Sequence, residues 1–261
     1  MVLALLQAQD WHPPGSSPAS WLAWLDQVGA LVFFGLYLLL VVRALVGRSR
    51  ERIAGALGEA DLAALHEELA AAERRTVGEI LPVVVERSDR YPGASWLAGL
   101  SLLIAGSILL GGRLPWDEPV LLLSVQLGFL ALGYGTARLL PGFQRVFLSP
   151  RRAAEMVAEQ AVQEFHRHAL FETEARTGVL LFVSLLERRA VVLADRGIDA
   201  AVEPGQWVQT TTALIEGIRE RSLRAGLEAG IRSAADVLEQ HFPWTAGDRN
   251  EIPDRIVLRK E

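Results

Sequence analysis

Two stretches without a single charge, Ala94 to Gly112 and Val120 to Ala137, lie in the middle of the chain and are parted only by the turn within GGRLPWDEP. A helix that crosses the roughly 30 Å hydrocarbon core of a bilayer needs about 17 to 25 apolar residues. Both stretches meet that length. Neither LLIAGSILL nor VLLLSVQLGFLAL shows a polar face at helical spacing, so a membrane hairpin with spans at 94–112 and 120–137 is expected. The alternative is a pair of helices buried in a soluble domain. A third apolar run, Val28 to Val42, is shorter, but Trp21 and Trp24 provide an interfacial belt and Arg43 can snorkel at the far end, which extends the span to 28–47. Because MVLALLQAQD lacks the basic start of a secretory signal, this run is expected to be an uncleaved anchor. These segments absorb much of a composition that is 51% hydrophobic with a mean hydropathy of +0.24 over 261 residues.

The arginines suggest an orientation. Residues 1–27 carry no Lys or Arg, whereas Arg43, Arg48, Arg50 and Arg52 follow the first run and Arg138, Arg145, Arg151 and Arg152 follow the third. The positive-inside rule then predicts three spans, with 1–27 outside and the remaining soluble pieces in the cytoplasm. The localisation expected is a bacterial inner membrane, crossed several times. There is no cysteine, which excludes disulfides, thiolate metal sites and a thiol nucleophile.

The soluble pieces at 55–92 and 141–243 read as one discontinuous domain, followed by a polar tail at 244–261. Leu62, Leu65, Leu69 and Ala72 recur at helical spacing up to Thr76. EILPVVVE, Glu79 to Glu86, is short and β-branched and is followed by the turn SDRYPG, which predicts a strand. Pro82 argues that the strand is not central at that position. Ser149-Pro150 opens a helix to about His168, with Met156, Val157, Ala161 and Phe165 on one face. Val179 to Leu185 and Ala190 to Ala194 form a β-hairpin, and helices over Pro204 to Ser222 and Leu223 to Gln240 follow. The fold class expected is a small α/β domain, a βαβ unit plus a β-hairpin packed by helices, with the membrane hairpin inserted in the βα connection.

The stretches RTVGEILPVVVE, TGVLLFVSLLERRAVVLADRGI and LEQHFPWTAGDRNEIPD resemble the TPM domain family, in its bacterial membrane-protein branch with a transmembrane hairpin inside the domain. The resemblance covers roughly residues 55–255. It implies a TPM-like fold, a role beside another membrane protein, LemA-type among the partners implied, and in one branch an acid phosphatase activity linked to acidic residues. This chain departs from the broader pattern after the hairpin, where Ala194-Asp195-Arg196-Gly197 stands in place of a glycine-rich turn.

Two groups of residues are candidates for chemistry. The topology brings Glu79, Asp195 and Asp199 to the sheet edge where the first strand starts, and carboxylate oxygens of that kind suit Ca2+ or Mg2+, with metal-assisted phosphate hydrolysis as the reaction. Ion pairing of Glu79 with Arg75 and turn capping by Asp195 explain the same residues without a metal. At the other edge, Arg87, Arg90, Arg145, Arg151 and Arg152 can hold anionic lipid headgroups or simply set topology. His166 and His168 are two apart on a helix and point apart, which is poor spacing for zinc. Asp248 to Glu251 resembles a fragment of a calcium loop without its glycine and distal glutamate, and a solvated tail explains it better. Ser124 and Gln126 in the third run suggest helix partners, and Gly99, Gly106, Gly128, Gly133 and Gly135 permit close packing. A net charge of −5 offers nothing to nucleic acid. No phosphate loop, dinucleotide fingerprint or nucleophile elbow occurs in the sequence. The function expected is a non-enzymatic interaction or maintenance module in the membrane, with a metal-dependent phosphatase as the alternative.

Overall fold

The computed structural model describes residues 32–33, 35–46, 53–111, 114–246 and 250–260. In chain order the elements are α1 (Gly35–Val46), α2 (Ile53–Ala56), α3 (Glu59–Glu73), β1 (Glu79–Val85), α4 (Pro92–Leu109), α5 (Pro119–Leu139) and α6 (Pro141–Gln144). A 3-10 turn at Arg145–Phe147 leads to α7 (Pro150–Arg167), β2 (Gly178–Ser184), β3 (Arg189–Ala194), α8 (Arg196–Asp199), α9 (Pro204–Glu220), α10 (Leu223–His241) and β4 (Val257–Arg259). The chain forms two compact units, one made of the segment up to Leu45 with Pro92–Gln144, the other of Val46–Tyr91 with Arg145–Glu261.

The larger unit is an α/β layer structure around a mixed four-stranded sheet of order β3-β2-β1-β4. β1 pairs in parallel with both β2 and β4, and β3 returns antiparallel to β2. Every residue of β1 and β2 is buried, which is why both strands read as continuous apolar runs rather than as alternating ones. Ile80, Val84, Val179 and Leu181 pack with Leu65, Leu69, Leu214, Leu227 and Leu238 of α3, α9 and α10. Leu81, Val83, Leu180 and Phe182 point the other way, onto Val157, Ala161 and Phe165 of α7. Strand periodicity of two therefore serves two cores at once.

Pro82 finds its explanation in the register. It lies opposite Leu181 of β2, while β4 joins only at Val83, so proline falls in the half of β1, Glu79 to Pro82, that has a strand neighbour on one side alone. Part of the polar tail at 244–261 joins the sheet. Ile256 is buried, and Val257–Arg259 forms β4 against β1, because β1 would otherwise leave a buried row of unpaired backbone groups.

The smaller unit contains two helices, α4 and α5, long and apolar enough to cross a membrane. At 1.5 Å per residue they extend about 27 and 32 Å. They pack closely at glycine. A Cβ on Gly133 would lie 2.6 Å from the Ala98 carbonyl oxygen, and one on Gly99 would lie 2.8 Å from that of Leu130. Gln126 Nε2 donates to Ser107 Oγ at 3.4 Å, and Gln144 Nε2 to Ser95 Oγ at 3.1 Å. Tyr37 of α1 hydrogen-bonds Thr136 Oγ1 at 2.6 Å and sets its ring edgewise on Phe143. The predicted first span at 28–47 lies partly outside the described residues, as do Trp21, Trp24 and Arg48 to Arg52; its described part, α1, is a shorter apolar helix.

Candidate functional site

The strand order brings Glu79 and Asp195 to one end of the sheet, where β1 and β2 begin and β3 ends. Glu79 pairs in register with Gly178, and the Asp195 N–H donates to the Gly178 carbonyl at 2.9 Å. β2 runs between them, however, and strands two apart are separated by roughly 10 Å. Each acid has its own surroundings. Asp195 is buried and caps α8: its Oδ1 accepts the Arg196 N–H at 2.7 Å, and the Arg176 guanidinium lies 3.9 Å from Oδ2. Asp199 is exposed on the same short helix. The α8 turn is built tightly, since a Cβ at Gly197 would lie 2.6 Å from the carbonyl oxygens of both Ala175 and Arg176.

Glu79 gathers different neighbours from those the sequence suggested. Its Oε1 accepts the Glu251 N–H at 2.8 Å. Beside it, Glu73 at the end of α3 and Asp254 from the C-terminal segment line a cavity of about 270 Å3, together with Asn250, Thr76 and Trp244. Burial, then hydrogen bonding and charge from Asp254, then the charge of Glu79, push the Glu73 carboxyl up to about 9. Glu73 therefore carries a proton at neutral pH, as expected where carboxylates crowd in a poorly solvated place. Asn250 Nδ2 donates to Asp254 Oδ1. The oxygen chemistry of this set suits a hard cation, although among the described residues no three acidic or histidine side chains converge to hold a metal ion. Arg75, the neighbour expected for Glu79, is turned instead to Asp236, at 2.6 Å, and to Glu239.

At the opposite end of the sheet, Ser184, Glu187 and Tyr91 are buried and joined. The Ser88 N–H and the Tyr91 hydroxyl donate to Glu187 Oε1 at 2.9 and 2.7 Å, while Ser88 Oγ donates to Ser184 Oγ at 3.0 Å and Ser184 Oγ to Glu187 Oε2. Tyr91 holds a positive φ of 45°, an uncommon state for an aromatic residue. Of the arginines proposed for lipid, Arg90, Arg151 and Arg152 are exposed and Arg87 and Arg145 half-buried. Arg151 and Arg152 both reach Glu155, at 3.0 and 4.0 Å. His166 packs on Phe171, and His168 Nε2 lies 3.4 Å from Glu164 Oε2. Asp248 and Arg249 lie outside the described residues. Glu251, expected in a solvated tail, accepts the Glu174 N–H at 2.9 Å.

Sequence reasoning missed Glu73 and Asp254 and set Asn250 aside with its loop; the three meet only through the path of the C-terminal segment. It also missed Glu164, fully buried on α7; its place seven residues after Val157 and three after Ala161, on the apolar face, is a readable signal of a buried charge.

No protein-family model matches the chain, and no curated protein matches it. Among solved structures, the NMR structure of BA42 protein from the psychrophilic bacterium Bizionia argentinensis is similar, with a TM-score of 0.51 and 20% sequence identity, covering 80% of this chain and 99% of that one. At that identity the likeness is one of fold.

Proposed function

We propose that the chain is a multi-pass membrane protein of the TPM-domain kind, in which the α/β unit acts as a non-enzymatic interaction or maintenance module for another membrane protein. The observation that carries this reading is the outer surface of the apolar hairpin. Leu97, Leu100, Ile104 and Ile108 of α4 and Leu121, Leu123, Leu127 and Leu132 of α5 are all exposed, a surface that lipid or a partner helix must cover. The arginine asymmetry supports three spans with the N-terminal segment outside and the α/β unit in the cytoplasm of a bacterial inner membrane. Through the family resemblance, a LemA-type membrane protein is the partner class to look for. Reporter fusions at Glu261 test the orientation: activity confined to a cytoplasmic reporter is expected, and a signal only from an extracytoplasmic one overturns it. Crosslinking at native expression tests the module, and recovery of no membrane-protein partner counts against it.

A second reading, a divalent-metal-dependent phosphatase, is favoured by the protonated Glu73 beside Glu79 and Asp254. Ca2+ or Mg2+ would take up those oxygens as the Glu73 proton leaves. The purified chain should then release protons and gain melting temperature on metal titration. Retention of both effects in Glu79→Ala, or of phosphatase activity in Glu79→Ala combined with Asp195→Ala, removes this reading.

A further inference from the structure

A second cavity, of about 220 Å3, opens at the carboxyl ends of β1 and β4, lined by Ser88 and Asp89, by Arg259, and by Glu159, Gln160 and Arg167 of α7. That edge of an open α/β sheet is where ligands generally bind. The volume is several times the roughly 30 Å3 share of one water, enough for a group of several heavy atoms. Its lining is divided by charge. Nη1 of Arg167, at 2.8 Å, and Nη1 of Arg259 both donate to the same oxygen of Glu164, which is fully buried. One carboxylate thus fixes two guanidinium groups and balances only one of their charges. Each guanidinium has five N–H donors, so the pair keeps donors for an anion. The planar fork of arginine matches phosphate oxygens well. The same cavity is also lined by acceptors: the carboxylates of Asp89 and Glu159, and the amide of Gln160. Gln160 is 8% exposed, and its Oε1 has no hydrogen-bond partner among the described residues. Buried amides of this kind almost always have a partner, and here the unmatched atom belongs to a side chain that lines the cavity.

We propose that this cavity binds a small zwitterion with a phosphate on Arg167 and Arg259 and a primary ammonium on Gln160, Asp89 and Glu159, the phosphoethanolamine unit being the smallest such ligand. The unit has two sources, the free compound or the headgroup of a phosphatidylethanolamine lipid. Both present the same chemistry. The site does not depend on the interaction role proposed above.

The test uses the purified full chain in phosphatidylcholine nanodiscs, with thermal unfolding and equilibrium titration as readouts. Free phosphoethanolamine should raise the melting temperature saturably, and phosphocholine, whose ammonium has no N–H, should bind at least about tenfold more weakly. If the source is lipid, the shift appears only in discs containing phosphatidylethanolamine. In either arm Gln160→Leu, which removes the acceptor, and Arg167→Gln should each weaken the response about tenfold or more. Arg167→Gln leaves Arg259 on Glu164, and each variant's response is read as the shift from its own ligand-free melting temperature. The proposal is overturned by no response in either arm, by a response that both variants leave unchanged, by phosphocholine matching phosphoethanolamine, or by inorganic phosphate alone giving the full effect.

Discussion

The two ends of one sheet bury carboxylates by opposite means. Where β1 begins, Glu73 lies against Asp254 and Glu79 and keeps its proton. Where β1 and β4 end, Glu164 lies against Arg167 and Arg259 and is held by charged donors. The first solution removes a charge, and the second matches it. The first makes the fold sensitive to pH. The second makes it sensitive to the loss of a single side chain, since a buried carboxylate that organises two arginines cannot be deleted without leaving them mispaired.

The largest expected effect therefore comes from Glu164→Ala. Removing the hydrogen bonds that this carboxylate accepts from two charged donors costs about 3 kcal/mol, which chemical denaturation of the purified chain should show as a lower midpoint. A loss below about 1 kcal/mol would mean that the two arginines solvate themselves, and the contrast between the ends would collapse. Glu73→Gln should act next, and its sign depends on pH. The folded carboxyl titrates at about 9 against an ordinary value of 4.5, so the folded chain binds a proton that the unfolded chain releases. The contribution of this one group is fullest below 4.5 and declines as pH rises toward about 9. Glutamine cannot titrate, so the variant should melt higher than the wild type at pH 8 and nearly the same at pH 4. Equal slopes for both chains in melting temperature against pH would sink the assignment. The smallest effect belongs to Tyr91→Phe. It removes one hydrogen bond to Glu187, worth about 1 kcal/mol net, and it should leave the pH dependence unchanged.

The same contrast separates what the sequence could disclose from what it could not. β1, β2 and β3 follow from short β-branched runs ended by turn residues, α7 and α9 from apolar spacing and proline-marked starts, and α10 from apolar spacing. β4 is three residues in a charged tail, too short to establish a period. The pairing of Glu79 with the Glu251 backbone, and of Glu73 with Asp254, joins parts of the chain more than 170 residues apart. A single sequence carries no local trace of such a meeting. Glu164 was within reach, because a carboxylate on the apolar face of a helix requires a partner wherever it is buried. Asp195 was placed at the correct sheet edge by topology alone. Its distance from Glu79 across β2 became visible only when the strand order was known.

The insertion between β1 and β2 also bears on the rate at which the sheet assembles. Val85 and Gly178 belong to adjacent strands, yet the chain between them includes the whole α4–α5 hairpin. Closing so long a flexible loop instead of one about half its length costs under about 1 kcal/mol of entropy, but long-range parallel pairing is intrinsically slow. The hairpin is antiparallel and ties its own ends together, as the 3.1 Å bond between Gln144 and Ser95 shows. Once it has formed, the search that joins β1 to β2 involves a much shorter effective tether. The excursion is then expected to act as a kinetic shortcut: in refolding kinetics, substitutions that loosen Gly99 against Gly133 should slow assembly of the sheet.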